Sequence, residues 1–298
     1  MKRLIYFFVS LSVLLFACNI STTDTPLVVT VPPVITDVPV VTVPPVNPDV
    51  PVVTVPPVVT EPPVPTTAPV VTVSPIITNL TCSELSLFLD PVLASGTTCE
   101  TIPESAEGME IYPQYTNLSL QGYVLSDKFF EAHISVFPVQ RYNELIADLI
   151  PSHISELQAL TGGGAAGDSL PFLPTFNAQQ VFHAKYLALP FVSGGGIRYL
   201  TEYAQYFAPV NNTDLFYTYQ GLTNDGIYWV SAILPVNNPI LPADAINPPG
   251  GMSWEAFNNN FEPYITDMIN QLNSQPSGSY TPNLSSLDAL VSSIIIQP

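Results

Sequence analysis

From Phe130 to Val136 the chain reads FEAHISV, in which apolar and polar positions alternate without a break. Phe130, Ala132, Ile134 and Val136 then point to one side and Glu131, His133 and Ser135 to the other, the pattern of a half-buried strand. Between Tyr142 and Leu160 the period changes: Tyr142, Leu145, Ile146, Leu149, Leu157 and Leu160 fall at helical intervals, and Pro151 breaks or kinks the helix. Four further strands are expected in succession, over Gln180 to Leu189, Gly196 to Phe207, Asp214 to Leu222 and Gly226 to Leu234. Asn224-Asp225-Gly226 forms the hairpin turn between the last two. After a proline-rich loop, Trp254, Phe257, Phe261, Ile265, Met268 and Leu272 recur on one helical face, and Leu284 to Ile296 reads as a closing helix. Strands joined by tight turns and followed by helices predict an α+β domain over residues 79–298, with a largely antiparallel sheet and packed helices.

The sixty residues before this domain follow another rule. From Asn19 to Thr78 the sequence is nearly all Val, Thr and Pro, and VVTVPPV occurs at Val28–Val34, Val40–Val46 and Val52–Val58, with a degenerate VVTVSPI at Val70–Ile76. Proline fixes φ, removes an amide donor and holds its predecessor extended. The segment therefore reads as a disordered, semi-rigid stalk that reaches at most roughly 190 Å at about 3.1 Å per residue. VVTV alone would pair with neighbouring chains as strands, and the paired prolines with Asp37, Asp49 and Glu61 act against that. Two other readings of the repeat are a substrate for O-glycosylation and a ligand for a proline-binding module.

At the start, MKRLIYFFVSLSVLLFACN places two cations before an apolar run from Leu4 to Phe16, a secretory leader over residues 1–17. The run is short for a membrane span, which takes roughly 20 residues. Leu15-Phe16-Ala17-Cys18 resembles the lipobox of bacterial lipoproteins, and the resemblance implies cleavage before Cys18, lipid on its thiol and a place on the outer face of a cell membrane. The other reading is an ordinary signal peptide cut near Ala17. The chain has three cysteines, so with Cys18 lipidated, Cys82 and Cys99 are left to pair. Closing that loop in an oxidising compartment would stabilise the domain by about 3 kcal/mol.

Composition narrows the function without naming it. The net charge is −18, and Lys2 and Arg3 belong to the leader, so the processed chain would carry 4 basic and 24 acidic side chains. Such a chain repels phosphate backbones, and no nucleic-acid partner is expected. Gly167-Asp168-Ser169-Leu170 spells the nucleophile block of the GDSL esterases and lipases, a family that also requires a late histidine, and no histidine follows His183. His133, His153 and His183 have no metal-ligand spacing. The runs Gly162–Gly164 and Gly194–Gly196 lack the Lys-Ser/Thr ending of a phosphate loop and read as turns or hinges. No catalytic residue, metal or cofactor is assigned.

The remaining candidate is aromatic. Nine rings fall between Tyr199 and Trp229, and Tyr199, Tyr203, Tyr217, Tyr219 and Trp229 are the candidate binding surface for a polysaccharide or protein ligand. The same rings would also serve as cross-strand core packing. Stretches such as PFLPTFNAQQVFHAKY and YTYQGLTNDGIYWVSAILPV are similar to bacterial surface lipoproteins, and no activity comes with that similarity. The expected function is a membrane-anchored, extracytoplasmic, non-catalytic binding domain on a stalk. An exported hydrolase whose site the sequence does not reveal is the alternative.

Overall fold

The computed structural model describes residues 78–297, Met109 excepted. The leader, Cys18 and the repeats lie outside the described residues. The segment read as stalk through Thr78 ends one residue too late, since Thr78 opens the first strand. In chain order the elements are β1 (Thr78–Cys82), β2 (Leu85–Leu89), β3 (Gly96–Ile102), β4 (Tyr115–Gln121), β5 (His133–Pro138), α1 (Val139–Leu145), α2 (Ile150–Thr161), β6 (Gln179–Gln180), β7 (Ala184–Phe191), β8 (Gly194–Thr201), β9 (Tyr203–Ala204), β10 (Phe216–Thr223), β11 (Tyr228–Pro235), α3 (Trp254–Asn259), α4 (Phe261–Ser274), α5 (Leu284–Ser292) and β12 (Ile295–Ile296).

The expected α+β fold with an antiparallel sheet is what forms. Seven strands make one sheet in the order β3-β4-β5-β11-β10-β8-β7, and every pairing in it is antiparallel. β2 is flanked by β1 and β12 in a smaller sheet, and β6 pairs with β9 as a two-stranded ribbon. Alternation along the central strands sorts residues into two cores rather than into a core and a solvent face. Ile134, Val136, Tyr217, Tyr219, Val230, Ala232 and Leu234 pack with β2, α4 and α5 on one side. Phe137, Ile197, Tyr199, Phe216, Trp229 and Ile233 pack on the other with α1, α2 and Leu170, Phe172 and Leu173 of the loop after α2. The half-buried strand read in FEAHISV is thus buried on both faces: β5 starts at His133 and runs on to Pro138, with Ser135 and Phe137 enclosed.

Local chemistry explains where the observed elements depart from the expected ones. The helix expected from Tyr142 to Leu160 is two helices, and Pro151 sits in the first turn of α2, where a missing amide donor costs nothing. Gly162 and Gly163 then end that helix, Gly163 at φ +92°. Gly194–Gly196, read as a turn, instead begins β8, because a Cβ at Gly196 would lie 2.2 Å from the Gln220 carbonyl oxygen across the pair with β10. The strand expected from Gln180 is divided between β6 and β7, the one ending at Phe207 stops at Thr201 and resumes briefly as β9, and the long C-terminal helix separates at Asn260 into α3 and α4. The closing helix stops at Ser292, and Ile295–Ile296 adds to β2 instead. Cys82 and Cys99 are bonded, joining the last residue of β1 to the middle of β3.

Between β8 and β9 lies Glu202, 1 % exposed, with Oε1 unpartnered among the described residues and Oε2 accepting from the Asn211 amide at 3.3 Å. Burial pushes its pKa well above the carboxylate range, opposed by the bond from the Asn211 amide and aided to a lesser extent by the nearby Asp214 carboxylate. A raised folded-state pKa contributes stability that is complete below the unfolded value, near 4.5, and is lost as pH climbs toward the folded one. Wild-type protein should therefore lose Tm between pH 5 and pH 8 more steeply than Glu202→Gln. The two melting curves should converge near pH 4.5; parallel curves across that range would show that Glu202 does not titrate differentially.

Candidate functional site

The rings proposed from sequence as a binding surface do not form one. Tyr199, Tyr217 and Tyr219 are 0 % exposed and Trp229 is 1 % exposed. Both faces of the seven-stranded sheet are covered, so an aromatic residue on a central strand is enclosed whichever way it points. Each polar tip has an internal acceptor: Tyr199 Oη donates to Pro171 O at 3.2 Å, Tyr217 Oη to Asp288 Oδ1 at 3.0 Å, Tyr219 Oη to Leu189 O at 2.9 Å and Trp229 Nε1 to Gln220 Oε1 at 2.7 Å. The core-packing reading of these four residues is the one realised. Tyr203 alone stays half-buried, and it faces a groove.

That groove lies where the β6–β9 ribbon leaves the sheet, between the loop after α2 and helices α3 and α4. It consists of two adjoining cavities, of about 750 and 1170 Å³, which share Phe176, Ala178, Gln179, Gln180, Val181 and Glu262 in their walls. Gln180 fixes the shared wall. Its Oε1 accepts from the Leu170 amide at 2.9 Å, while its Nε2 donates to Tyr203 Oη at 3.2 Å and to Tyr199 Oη at 3.4 Å. The larger cavity is aromatic at its rim, with Tyr206, Phe207 and Trp254 exposed to 60, 52 and 40 %. Ser253 caps α3 by accepting from the Ala256 amide, which places Trp254 at the first helical position with its ring 6.3 Å from that of Tyr206 at an interplanar angle of 67°. Phe207 leans on Phe261 at 4.6 Å. Asn177, Gln179, Gln205 and Asn258 supply amides along the wall, and among the described residues neither cavity is lined by Lys or Arg.

The smaller cavity gathers residues that stand apart in sequence: His153 from α2, Asp168 and Ser169 from the loop, His183 before β7 and Glu262 from α4. Proximity does not make a nucleophile of Ser169. His183 Nε2 donates to the Gly167 carbonyl at 2.8 Å, since a carbonyl can only accept, and no bond joins Ser169 Oγ to an imidazole among the described residues. Burial lowers the His153 pKa. His133 lies elsewhere, on β5, bonded through Nδ1 to Glu131 O at 2.8 Å and likewise lowered by burial. No group of three His, Cys, Asp or Glu side chains among the described residues could hold a metal ion.

What the groove offers chemically is flat apolar faces beside hydrogen-bonding amides. Sequence periodicity hides Trp254 and Phe261, because both continue the apolar stripe of α3 and α4. One signal marks Trp254, the N-cap serine immediately before it, whereas Tyr206 and Phe207 read as the end of the strand expected from Gly196 and lie past β9 only in the structure. Against protein families, curated proteins and solved structures alike, the chain matches none.

Proposed function

We propose that this is an extracytoplasmic lipoprotein, anchored through lipid on Cys18, whose domain is carried on a stalk and binds a neutral glycan in the groove without transforming it. The observation that carries the reading is the exposed cluster Tyr206, Phe207 and Trp254 set beside side-chain amides in a groove with no cationic lining. A sugar ring presents a face of C–H bonds that stacks on an aromatic plane and a rim of hydroxyls that pairs with amides and with Glu262. Absence of Lys and Arg from the walls, with an overall charge of −18, disfavours acidic polymers.

Binding of neutral oligosaccharides, followed through indole emission, tests this directly. Trp254→Ala and Tyr206→Ala should each weaken binding about tenfold or more, with little change in Tm because both rings are exposed. Unaltered affinity in both variants would remove the groove from consideration. The anchor has its own test: Cys18→Ser should abolish metabolic lipid labelling and release the chain from the membrane fraction, and labelled, membrane-bound mutant protein would place the anchor elsewhere.

A further inference from the structure

The two cavities of the groove are not alike. Tyr206, Phe207 and Trp254, the rings on which a sugar face can stack, line only the larger one, whereas Asp168, Phe172, Tyr203 and Ile269 line only the smaller. We propose that the smaller cavity takes a 2-acetamido sugar, so that the groove selects a neutral oligosaccharide of N-acetylhexosamine over one of plain hexose. The inference rests on the groove being a glycan site, as above, and names the class of glycan.

Three observations carry it. First, the smaller cavity, at about 750 Å³, is large enough to enclose a whole small ligand, and it shares the wall of Gln179, Gln180 and Val181 with its neighbour. One oligosaccharide therefore places a unit in each. Second, part of its wall is hydrocarbon. Phe176 and Tyr203 meet nearly at right angles, with centroids 5.1 Å apart and 86° between their planes, and Ile265 and Ile269 of α4 also face the space. The edge of a hexose ring carries hydroxyls, which cost free energy when buried against hydrocarbon without partners, whereas an acetamido group ends in a methyl.

Third, the polar groups of the smaller cavity match an amide. The acetamido N–H needs an acceptor, and Asp168 and Glu262 offer carboxylates that are in no hydrogen bond or ion pair among the described residues. The acetamido carbonyl needs a donor. Tyr203 Oη already accepts from Gln180 Nε2 at 3.2 Å, and its own O–H has no acceptor among the described residues, so that proton is free for the carbonyl. The same two carboxylates weigh against a sugar whose substituent is itself acidic, because the ligand's charge would face theirs.

The test titrates the full chain, as its Cys18→Ser form, with triacetylchitotriose and with cellotriose, a trimer of the same linkage that lacks the acetamido groups. Calorimetry should show triacetylchitotriose binding at least about tenfold more tightly, because cellotriose leaves the polar groups of the smaller cavity unpaired. Asp168→Ala and Tyr203→Phe alter only the smaller cavity. Each should therefore weaken triacetylchitotriose by roughly fivefold or more and leave cellotriose unchanged. Asp168 is exposed in the loop after α2, so its variant tests the site without disturbing the core. Saturation-transfer NMR should find the acetyl methyl protons to be the most strongly saturated of the ligand. Equal affinity for the two trimers would overturn the inference and leave the proposed function standing. A preference for triacetylchitotriose that survives both substitutions would overturn it too, since the acetamido group would then be read elsewhere. Failure of both trimers to bind would remove the inference and the glycan reading together.

Discussion

Gln220→Leu should lower the stability of the domain by about 4 kcal/mol, a fall in Tm of roughly 8–16 °C for a domain of this length. Gln220 is 0 % exposed in the middle of β10, where alternation of the neighbouring residues would place an apolar side chain. Its Oε1 accepts from the Leu173 amide at 3.0 Å and from Trp229 Nε1 at 2.7 Å. Its Nε2 donates to Thr218 Oγ1 and Ser231 Oγ, both at 2.9 Å. Leucine is close in size, so the loss comes from two buried N–H groups left without acceptors, each at about 1–3 kcal/mol, and not from a cavity. Leu173 belongs to the loop that also presents Phe172 and Phe176 to the groove, so ligand affinity should fall with stability. Chemical denaturation of the two proteins measures the difference. A change below about 1 kcal/mol would mean that the amides find other acceptors.

Asp288→Ala is expected to cost about 3 kcal/mol. Arg198 on β8 donates through Nε to Asp288 Oδ1 on α5 at 3.1 Å and through Nη1 to the Lys185 carbonyl, and Tyr217 Oη donates to the same carboxylate oxygen at 3.0 Å. The arginine side chain is 9 % exposed and the aspartate 21 %, so removing the carboxylate leaves a nearly enclosed cation facing a tyrosine hydroxyl that has also lost its acceptor. The double variant Arg198→Met with Asp288→Leu should regain part of the lost stability, since an apolar pair carries no uncompensated charge, although the Tyr217 hydroxyl still lacks its acceptor and the Lys185 carbonyl its donor. Urea unfolding of the single and double variants decides the matter. If the double variant is as unstable as Asp288→Ala, the stranded charge is not the cause.

The type of element was legible wherever a segment had a long, consistent period, and least legible at its ends. β10 and β11 lie within two residues of their expected starts, and Asp225 closes the expected turn by accepting from Thr223 Oγ1 and the Ile227 amide. β1 to β4 are not expected from the sequence because each is only five to seven residues long, although Leu85, Leu87 and Leu89 alternate plainly. The aromatic site failed for a tertiary reason. Periodicity tells which residues share a face of a strand, but not whether a helix covers that face. Tyr217 and Tyr219 point toward α4 and α5, while Tyr199 and Trp229 point toward α2 and its following loop. The exposed rings of the groove, Tyr206, Phe207 and Trp254, lie at the margins of regular structure, where hydrophobic patterning carries the least information.

The bond between Cys82 and Cys99 also sets how the domain would bear a mechanical load applied from its N-terminal side. A pull on Thr78 would peel β1 from β2 one pair at a time, from Thr78↔Leu89 to Cys82↔Leu85, because the strand is drawn off from its end. At Cys82 the peeling meets a covalent bond, and tension passes directly to Cys99 in the middle of β3, which is held to β4 along all seven residues. The 17-residue separation between the two cysteines stays locked out of the extension, roughly 60 Å of contour that cannot be released while the disulfide is intact. Force spectroscopy in the presence and absence of reductant would read that hidden length directly.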